Sequence, residues 1–140
     1  MILRKISIKQ KYLLLWAIML LICLAGVVGC TNSTPPDLTS IPLEQALSNG
    51  KPTLAEFGRG TCIPCKEMKP ILEELSVEYK GELNVVIVEV DKNVDMTRQF
   101  GIMIIPTQIF LDSAGKEVFR HVGFYPKEEI ITQLKKMGNY

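Results

Sequence analysis

The order in which helical and strand patterns alternate between residues 41 and 140 restricts the fold of this chain more than any other feature. Helical spacing of apolar residues and short apolar runs predict the order α-β-α-β-α-β-β-α. The predicted helices are residues 42–50, 62–79, 94–101 and 126–137, and the predicted strands are residues 51–58, 83–91, 107–112 and 116–122. This order starts as a parallel βαβ unit and ends as a hairpin. It therefore predicts an α/β domain in which a central mixed sheet of about four strands is flanked by helices on both faces.

Residues 83–91 are the most strongly apolar of the predicted strands. Their continuous β-branched run, LNVVIVEVD, predicts a fully buried central strand. The first helix is expected to be capped near Ser40 and to stop at Gly50. The long helix that begins at Cys62 contains Pro70, which predicts a kink.

The first 29 residues differ in character from the rest of the chain. Residues 1–12 contain four basic residues and no acid, and they precede sixteen uninterrupted apolar residues, 13–28. This is the layout of an export signal or of an N-terminal membrane anchor. Without residues 1–29 the chain keeps twelve basic and fifteen acidic residues, a formal charge of −3, so no basic surface for nucleic acid is expected.

Residues 27–30, VVGC, resemble the lipobox of bacterial lipoproteins. The resemblance implies that Cys30 carries a lipid after cleavage, with an uncleaved anchor or a simple secreted form as alternatives. Residues 31–40 are polar and contain two prolines, which predicts a tether. The predicted organisation is a signal peptide or anchor at 1–29, a lipid-attachment cysteine and tether at 30–40, and a folded domain at 41–140. Because a basic flank stays in the cytoplasm, we expect the domain on the extracytoplasmic face of a bacterial membrane.

Cys62 and Cys65, separated by only two residues, are the main candidates for chemistry. As a structural disulfide they would close a four-residue loop, which stabilises a fold by only roughly 2 kcal/mol. As half of a metal site they lack partners, because the chain has no second CxxC and, once residues 1–29 are removed, offers only Cys30 and His121 besides. We expect no metal. A reactive dithiol is the third possibility.

The position of the pair between a strand and a helix favours the reactive dithiol. Cys62, at the N-terminus of the predicted helix, would meet unpaired backbone N–H groups that stabilise a thiolate. Pro64 suits the first helical turn. Cys65, one turn further, is expected to be more buried and to act as the resolving thiol. Arg59 and Lys66 flank the pair and would favour the thiolate, although such charges are often simply solvated.

Several residues along the chain form a spaced pattern with this pair. They are Phe57, Cys62-Ile63-Pro64-Cys65-Lys66, Pro70, Asp91, Phe100-Gly101-Ile102, Ile105-Pro106-Thr107 and Gly123. The pattern resembles the thioredoxin family, and the match covers nearly all of residues 41–140. The resemblance implies a thioredoxin fold, a monomer, and no cofactor beyond a redox-active Cys62–Cys65 disulfide.

The resemblance also implies which residues meet the substrate. Pro106 is expected to follow a cis peptide bond and to lie against the disulfide, while the backbone of Ile105 pairs with an extended substrate segment. Thr61 is also expected to contact the substrate, although it stands where thioredoxin usually has tryptophan. Ile63 replaces a glycine, so substrate preference and redox potential are expected to differ from the family's. The residues expected to support the active site are Ile63, Pro64 and Lys66.

Glu56 takes the place of the family's buried acid beneath the active site. Burial would raise its pKa and let it exchange a proton with Cys65 through water, with an exposed strand glutamate as the alternative. The lysine that accompanies this acid in the family is absent, since Ile87 or Val88 lies near its place.

These features predict a thiol–disulfide oxidoreductase that reduces protein disulfides by exchange at Cys62 and Cys65. Its expected partners are protein disulfides and a transmembrane thiol-electron donor, and a lipid or N-terminal anchor is expected to hold it at the membrane. The alternatives are a disulfide oxidase or isomerase, whose direction depends on the reduction potential. A non-catalytic thioredoxin-like binding module is a further alternative.

Overall fold

The computed structural model describes residues 35–39 and 41–138, together with residues 9, 12, 13 and 16. The chain divides into two compact units, Met1–Thr34 and Pro35–Tyr140. Within the described residues, no helix has the length and apolar character that a membrane crossing requires. Most of the predicted signal or anchor, Cys30, and residues 31–34 of the predicted tether lie outside the described residues.

The second unit has the predicted order of helices and strands, numbered separately along the chain. The helices are α1 (Leu43–Leu47), α2 (Ile63–Glu78), α3 (Val94–Gln99) and α4 (Lys127–Met137), and the strands are β1 (Thr53–Gly58), β2 (Asn84–Glu89), β3 (Thr107–Leu111) and β4 (Glu117–Val122). The prediction of an α/β domain is therefore confirmed.

The four strands form one mixed sheet in the order β2-β1-β3-β4. β1 pairs with β2 in parallel and with β3 in antiparallel orientation, and β3 continues into β4 as the predicted hairpin. β2 lies at one edge, so the prediction of a fully buried central strand at 83–91 is wrong. Side chains at Asn84, Ile87 and Glu89 are only half-buried. The two interior positions belong to β1 and β3, all of whose residues are buried.

Segment 35–39, which was predicted to be part of the tether, covers part of this edge. The backbone N–H of Ile87 donates to the carbonyl of Leu38 (2.9 Å). The Leu38 side chain is buried in the same core as Leu54. Because the segment satisfies an edge N–H and covers apolar surface, an edge strand here can be as apolar as an interior one. The tether assignment is therefore wrong for Leu38, and the folded unit starts before Ile41.

Apolar side chains form two cores, one on each face of the sheet. The first includes Met68 of α2 and Ile130 of α4, and the second includes Leu43 of α1 and is also contacted by α3. Successive residues of a strand point to opposite faces, so Leu54 belongs to the first core and Ala55 to the second. Helices therefore cover both faces, as predicted.

Helix α2 positions the cysteine pair. Cys62 is its N-cap with extended backbone (φ −78°, ψ 123°), and Pro64 lies in the first turn, where a missing N–H costs no helical hydrogen bond. Pro70 lies inside the helix. By contrast, α1 begins after Pro42, which makes no side-chain cap, and the predicted cap Ser40 lies outside the described residues.

Candidate active site

Cys62 and Cys65 form a disulfide at the N-terminus of α2. Their Cα atoms are 5.3 Å apart, and the backbone N–H of Cys65 donates to Cys62 Sγ (N···S 3.3 Å). The first turn of a helix has unpaired N–H groups, which stabilise negative charge on the Cys62 sulfur once the disulfide opens. Cys65 is buried, with 7% of its surface exposed, whereas Cys62 is half-buried. Cys62 is therefore the more accessible sulfur, as predicted.

The Ile105–Pro106 peptide bond is cis, as predicted. β3 begins directly after this bond, and its start pairs with the end of β1, from which the chain leads to Cys62. Pro106 is buried, and its carbonyl accepts a hydrogen bond from the N–H of Gly123 (2.8 Å). The pairing of β1 with β3 therefore brings the loop before β3 to the end of β1, from which the chain leads to the disulfide.

Glu56 is buried on β1, with 1% of its surface exposed. Desolvation raises the pKa of its carboxyl group from 4.5 to about 8, and the side chain of Gln108 opposes the rise. Gln108 is the cross-strand partner of Glu56, yet the geometry of the two side chains falls short of a hydrogen bond. Glu56 Oε2 has no hydrogen-bond partner within the described residues. The expectation of a buried acid, rather than an exposed strand glutamate, is confirmed.

A pocket of about 280 Å³ opens beside Glu56 and Cys65. Its walls come from the end of β1, the loop that follows, α2, β2 and segment 35–39. Gly58 lies in this lining and was not predicted as a site residue. A glycine inside a strand pattern was the available signal, because it often marks a place where another group approaches the backbone closely.

The Thioredoxin family model matches residues 37–136. The chain belongs to the thioredoxin family. Thioredoxin of Alicyclobacillus acidocaldarius subsp. acidocaldarius is 40% identical over 97 residues, which are 69% of this chain and 91% of that protein. Thioredoxin-like protein HCF164, chloroplastic, of Arabidopsis thaliana is 36% identical over 106 residues, covering 73% of this chain and 41% of that protein.

Solved structures agree on the fold. A mutant thioredoxin from Halobacterium salinarum NRC-1 has a TM-score of 0.63 at 22% identity, covering 70% of this chain and 84% of that chain. At this identity the similarity supports the thioredoxin fold alone.

Membership in the thioredoxin family identifies Cys62–Cys65 as a redox-active disulfide, and the family uses this disulfide without a separate cofactor. In the part of the chain that the structure describes, no group of three or more His, Cys, Asp or Glu side chains could hold a metal ion.

The side chains around the disulfide differ in their exposure and in their ion pairs. Thr61 and Lys66 are exposed, and 72% of the surface of Ile63 is exposed. Arg59 is held by Asp91 (Nη2···Oδ1 2.8 Å) at a partly exposed position. The charge of Arg59 is therefore already paired with that of Asp91.

The position of the family's missing lysine falls at Ile87 rather than Val88. Ile87 is the cross-strand partner of Glu56 and lines the same pocket. Val88 is buried in the core on the other face of the sheet. An apolar side chain therefore stands beside the carboxyl group of Glu56.

His121 lies on β4, on the hairpin where the sequence placed it. Its ring stacks on Tyr125 with centroids 4.0 Å apart, and its Nε2 is 3.1 Å from the carbonyl oxygen of Phe124. These contacts give it a packing role at the end of the hairpin.

Proposed function

We propose that this chain is a thiol–disulfide oxidoreductase that reduces protein disulfides outside the cytoplasmic membrane. The observation that carries the proposal is the Cys62–Cys65 disulfide at a helix N-terminus. It follows the end of β1, which pairs with the start of β3, and the cis Ile105–Pro106 bond directly precedes β3. Membership in a family of redox proteins supports the class of reaction. Relatives that carry the name thioredoxin support the reducing direction.

In the reduced protein, the Cys62 thiolate attacks one sulfur of a substrate disulfide. A bond forms between Cys62 and that sulfur, and the other substrate sulfur leaves as a thiolate. Cys65 then loses its proton toward Glu56 and attacks Cys62 Sγ, which restores the Cys62–Cys65 disulfide and releases the second substrate sulfur. The backbone of Ile105 and the ring of Pro106 hold the extended segment that carries the substrate sulfur. Two electrons pass to the substrate in each cycle.

The cycle requires a source of two electrons for each substrate disulfide. For a protein outside the cytoplasm, this source is a transmembrane thiol-electron donor that reduces Cys62–Cys65. The protein acts as a monomer, because both sulfurs, Glu56 and the cis proline come from one chain.

The location rests on the N-terminal sequence. Four basic residues, a long apolar run and the sequence VVGC support a lipid anchor at Cys30 on the extracytoplasmic face. Mass spectrometry of the N-terminus from membranes tests this part, and an acylated Cys30 is the expected result. A chain that still begins with Met1 would contradict lipid attachment.

The reduction potential tests the direction of the reaction. We expect equilibration with glutathione to give a value nearer to the about −270 mV of thioredoxin than to the about −120 mV of a strong disulfide oxidant. Cys62→Ser serves as the control, because it removes the disulfide and should remove the transition. A strongly oxidising value would contradict the reductase and favour an oxidase or isomerase.

A further inference from the structure

Gln108 on β3 is completely buried, with none of its surface exposed. Within the described residues, neither its amide nitrogen nor its amide oxygen has a hydrogen-bond partner. Glutamine is seldom buried completely, and a buried polar atom without a partner destabilises the folded state. An apolar side chain of similar size would avoid this cost. Packing alone therefore does not account for a glutamine at this position.

The cross-strand neighbours of Gln108 are Glu56 on β1 and His121 on β4. Cross-strand partners lie on one face of the sheet with their Cβ atoms about 5 Å apart. Glu56 Oε2 is likewise buried without a partner in the part of the chain that the structure describes, whereas His121 Nε2 lies 3.1 Å from the carbonyl oxygen of Phe124. Unpartnered atoms thus meet on Gln108 and Glu56, and rotation of the side-chain torsions would bring them into hydrogen-bond contact.

A carboxamide is suited to an acid that changes its charge. An ionised carboxyl group only accepts hydrogen bonds, whereas a protonated one also donates through its O–H. The Nε2 of glutamine donates and its Oε1 accepts, so one side chain can pair with both forms by turning its amide. Ile87, the neighbour of Glu56 on the other side, can do neither. The pairing agrees with the pKa of Glu56, since the Gln108 side chain opposes the rise that desolvation causes.

We propose that Gln108 is a positioning residue that hydrogen-bonds the carboxyl group of Glu56 in both of its protonation states. Nε2 donates to the ionised group, and once the group has taken up a proton its O–H donates to Oε1. The amide itself gains and loses no proton, so it orients the acid without entering the reaction. The consequence for catalysis rests on the proposed function, in which Glu56 takes the proton of Cys65 as Cys65 attacks Cys62 and the substrate sulfur leaves with the electrons of the broken bond.

Other titratable groups around this pair keep their identity when Gln108 is replaced. His121 faces Gln108 from β4, and its ring stacks on Tyr125. Further groups line the pocket beside Glu56 and come from the loop after β1, from α2 and from β2. They are Arg59, Cys65, Lys66, Lys69 and Glu89. In the oxidised protein Cys65 is in the disulfide, so a shift in the titration of Glu56 reports on the amide.

The test compares Gln108→Met with Ile109→Met in the oxidised full-length protein. Methionine keeps the length of glutamine without its donor and acceptor, and Ile109 is equally buried but packs in the core on the other face. Infrared difference spectroscopy follows the C=O stretch of protonated Glu56, which is identified by its loss in Glu56→Gln. We expect Gln108→Met to raise the midpoint at which this band disappears by about one pH unit, because the carboxylate loses a donor.

The position of the same band reports on the protonated form. A hydrogen bond to a carboxyl group weakens its C=O bond, so Gln108→Met should move the band to higher wavenumber. Ile109→Met should change neither the midpoint nor the position of the band. An unchanged midpoint or an unchanged band position in Gln108→Met, or equal changes in the two variants, would overturn the inference.

A second measurement uses the natural protein and does not depend on the folding of a variant. NMR spectroscopy follows the two Nε2 hydrogens of Gln108, assigned through the backbone resonances. One of them should shift downfield as Glu56 ionises, with the midpoint of the infrared band. Chemical shifts that stay constant through that midpoint would overturn the inference.

Resolution of the mixed disulfide measures the consequence for catalysis. Reduced protein is mixed with excess disulfide-bonded peptide at pH 6 to 9, quenched with acid and analysed by mass spectrometry. Below the midpoint of Glu56 the ionised fraction falls tenfold for each pH unit, so Gln108→Met should resolve about tenfold more slowly at pH 7. Formation of the mixed disulfide should change by less than about twofold, and Ile109→Met should resolve at the rate of the natural protein.

The two kinds of measurement separate the two claims. Equal resolution rates of Gln108→Met and the natural protein across this pH range would overturn the role of the amide in the reaction. Failure of the natural protein to form the mixed disulfide would instead contradict the proposed function, while the infrared result would still test the pairing of Gln108 with Glu56. The two failures are therefore distinguishable.

Discussion

The buried carboxyl group of Glu56 makes the folded state sensitive to pH. Its pKa is about 8 in the folded protein, raised from 4.5 by desolvation. Between these two values the folded state holds a proton that the unfolded state has lost. The free energy of unfolding therefore decreases as pH rises through this window. Below and above the window, Glu56 adds no pH dependence to the free energy of unfolding.

Replacing Glu56 with Gln should remove this decrease, because the amide does not ionise. Between pH 5 and pH 8.5, we expect the oxidised natural protein to lose roughly 4 kcal/mol more of its free energy of unfolding than Glu56→Gln does. Urea unfolding at several pH values measures both curves. Parallel curves for the two proteins would show that Glu56 is ionised in the folded state at neutral pH.

Ile87→Lys should lower the pKa of Glu56. Ile87 is the cross-strand partner of Glu56 and lines the same pocket, so a lysine there would place a positive charge near the carboxyl group. An opposite charge at short range lowers a carboxyl pKa by about 1 to 3 units. The C=O stretch of protonated Glu56, titrated by infrared spectroscopy, should vanish at correspondingly lower pH than in Ile87→Met, the matched apolar control. An unchanged titration midpoint would contradict this reading of the site.

At the scale of single residues, the sequence predicted chemical groups more readily than the space between them. Cys62, Cys65 and Pro106 could be assigned because few arrangements use two cysteines before a helix with a distant proline. The crowded surroundings of Gly58 could not, because Glu56 Oε1 and Cys65 Sγ come from different elements and meet only beside this residue. Contacts of this kind exist only after β1 and α2 have packed.

At the scale of elements, segment 35–39 acts as part of the sheet edge rather than as a linker. Leu38 is 8% exposed and packs in the core that α2 and α4 cover, and its carbonyl accepts a hydrogen bond from β2. This role could not be predicted from the sequence, because the segment is polar, contains proline and packs in the core through one apolar residue, Leu38. The same pairing explains why the burial of β2 could not be predicted: an apolar run does not distinguish an interior strand from an edge that another segment covers.

Leu38→Ala should destabilise the domain, because it removes a buried side chain and leaves a cavity. We expect a loss of about 2 kcal/mol in the free energy of unfolding, at the low end of the range for buried leucine because the site lies at the rim of the core. Ile41→Ala is the control, since 50% of the surface of Ile41 is exposed, and it should change stability by less than about 1 kcal/mol. Equal effects of the two substitutions, measured by urea unfolding, would show that segment 35–39 is not part of the fold.

At the scale of the whole molecule, the order of elements was predictable because periodicity, glycine turns and strand propensity agree along residues 41–138. The α/β order, the final hairpin and helices on both faces follow from local patterns. The position of β2 in the sheet depends on which long-range pairings form, and local patterns do not encode these. The fold holds Cys62 accessible and Cys65 buried, and the central claim is that the two sulfurs therefore react one after the other.

Trapping the mixed disulfide tests this claim most directly. Full-length Cys65→Ser and Cys62→Ser proteins are reduced, mixed with a disulfide-bonded protein substrate, and analysed by intact mass spectrometry under non-reducing conditions. The account predicts that Cys65→Ser holds one substrate molecule through Cys62, and that Cys62→Ser captures at least about a hundredfold less, because its remaining thiol is buried. Equal capture through Cys65, or no capture by Cys65→Ser, would contradict it.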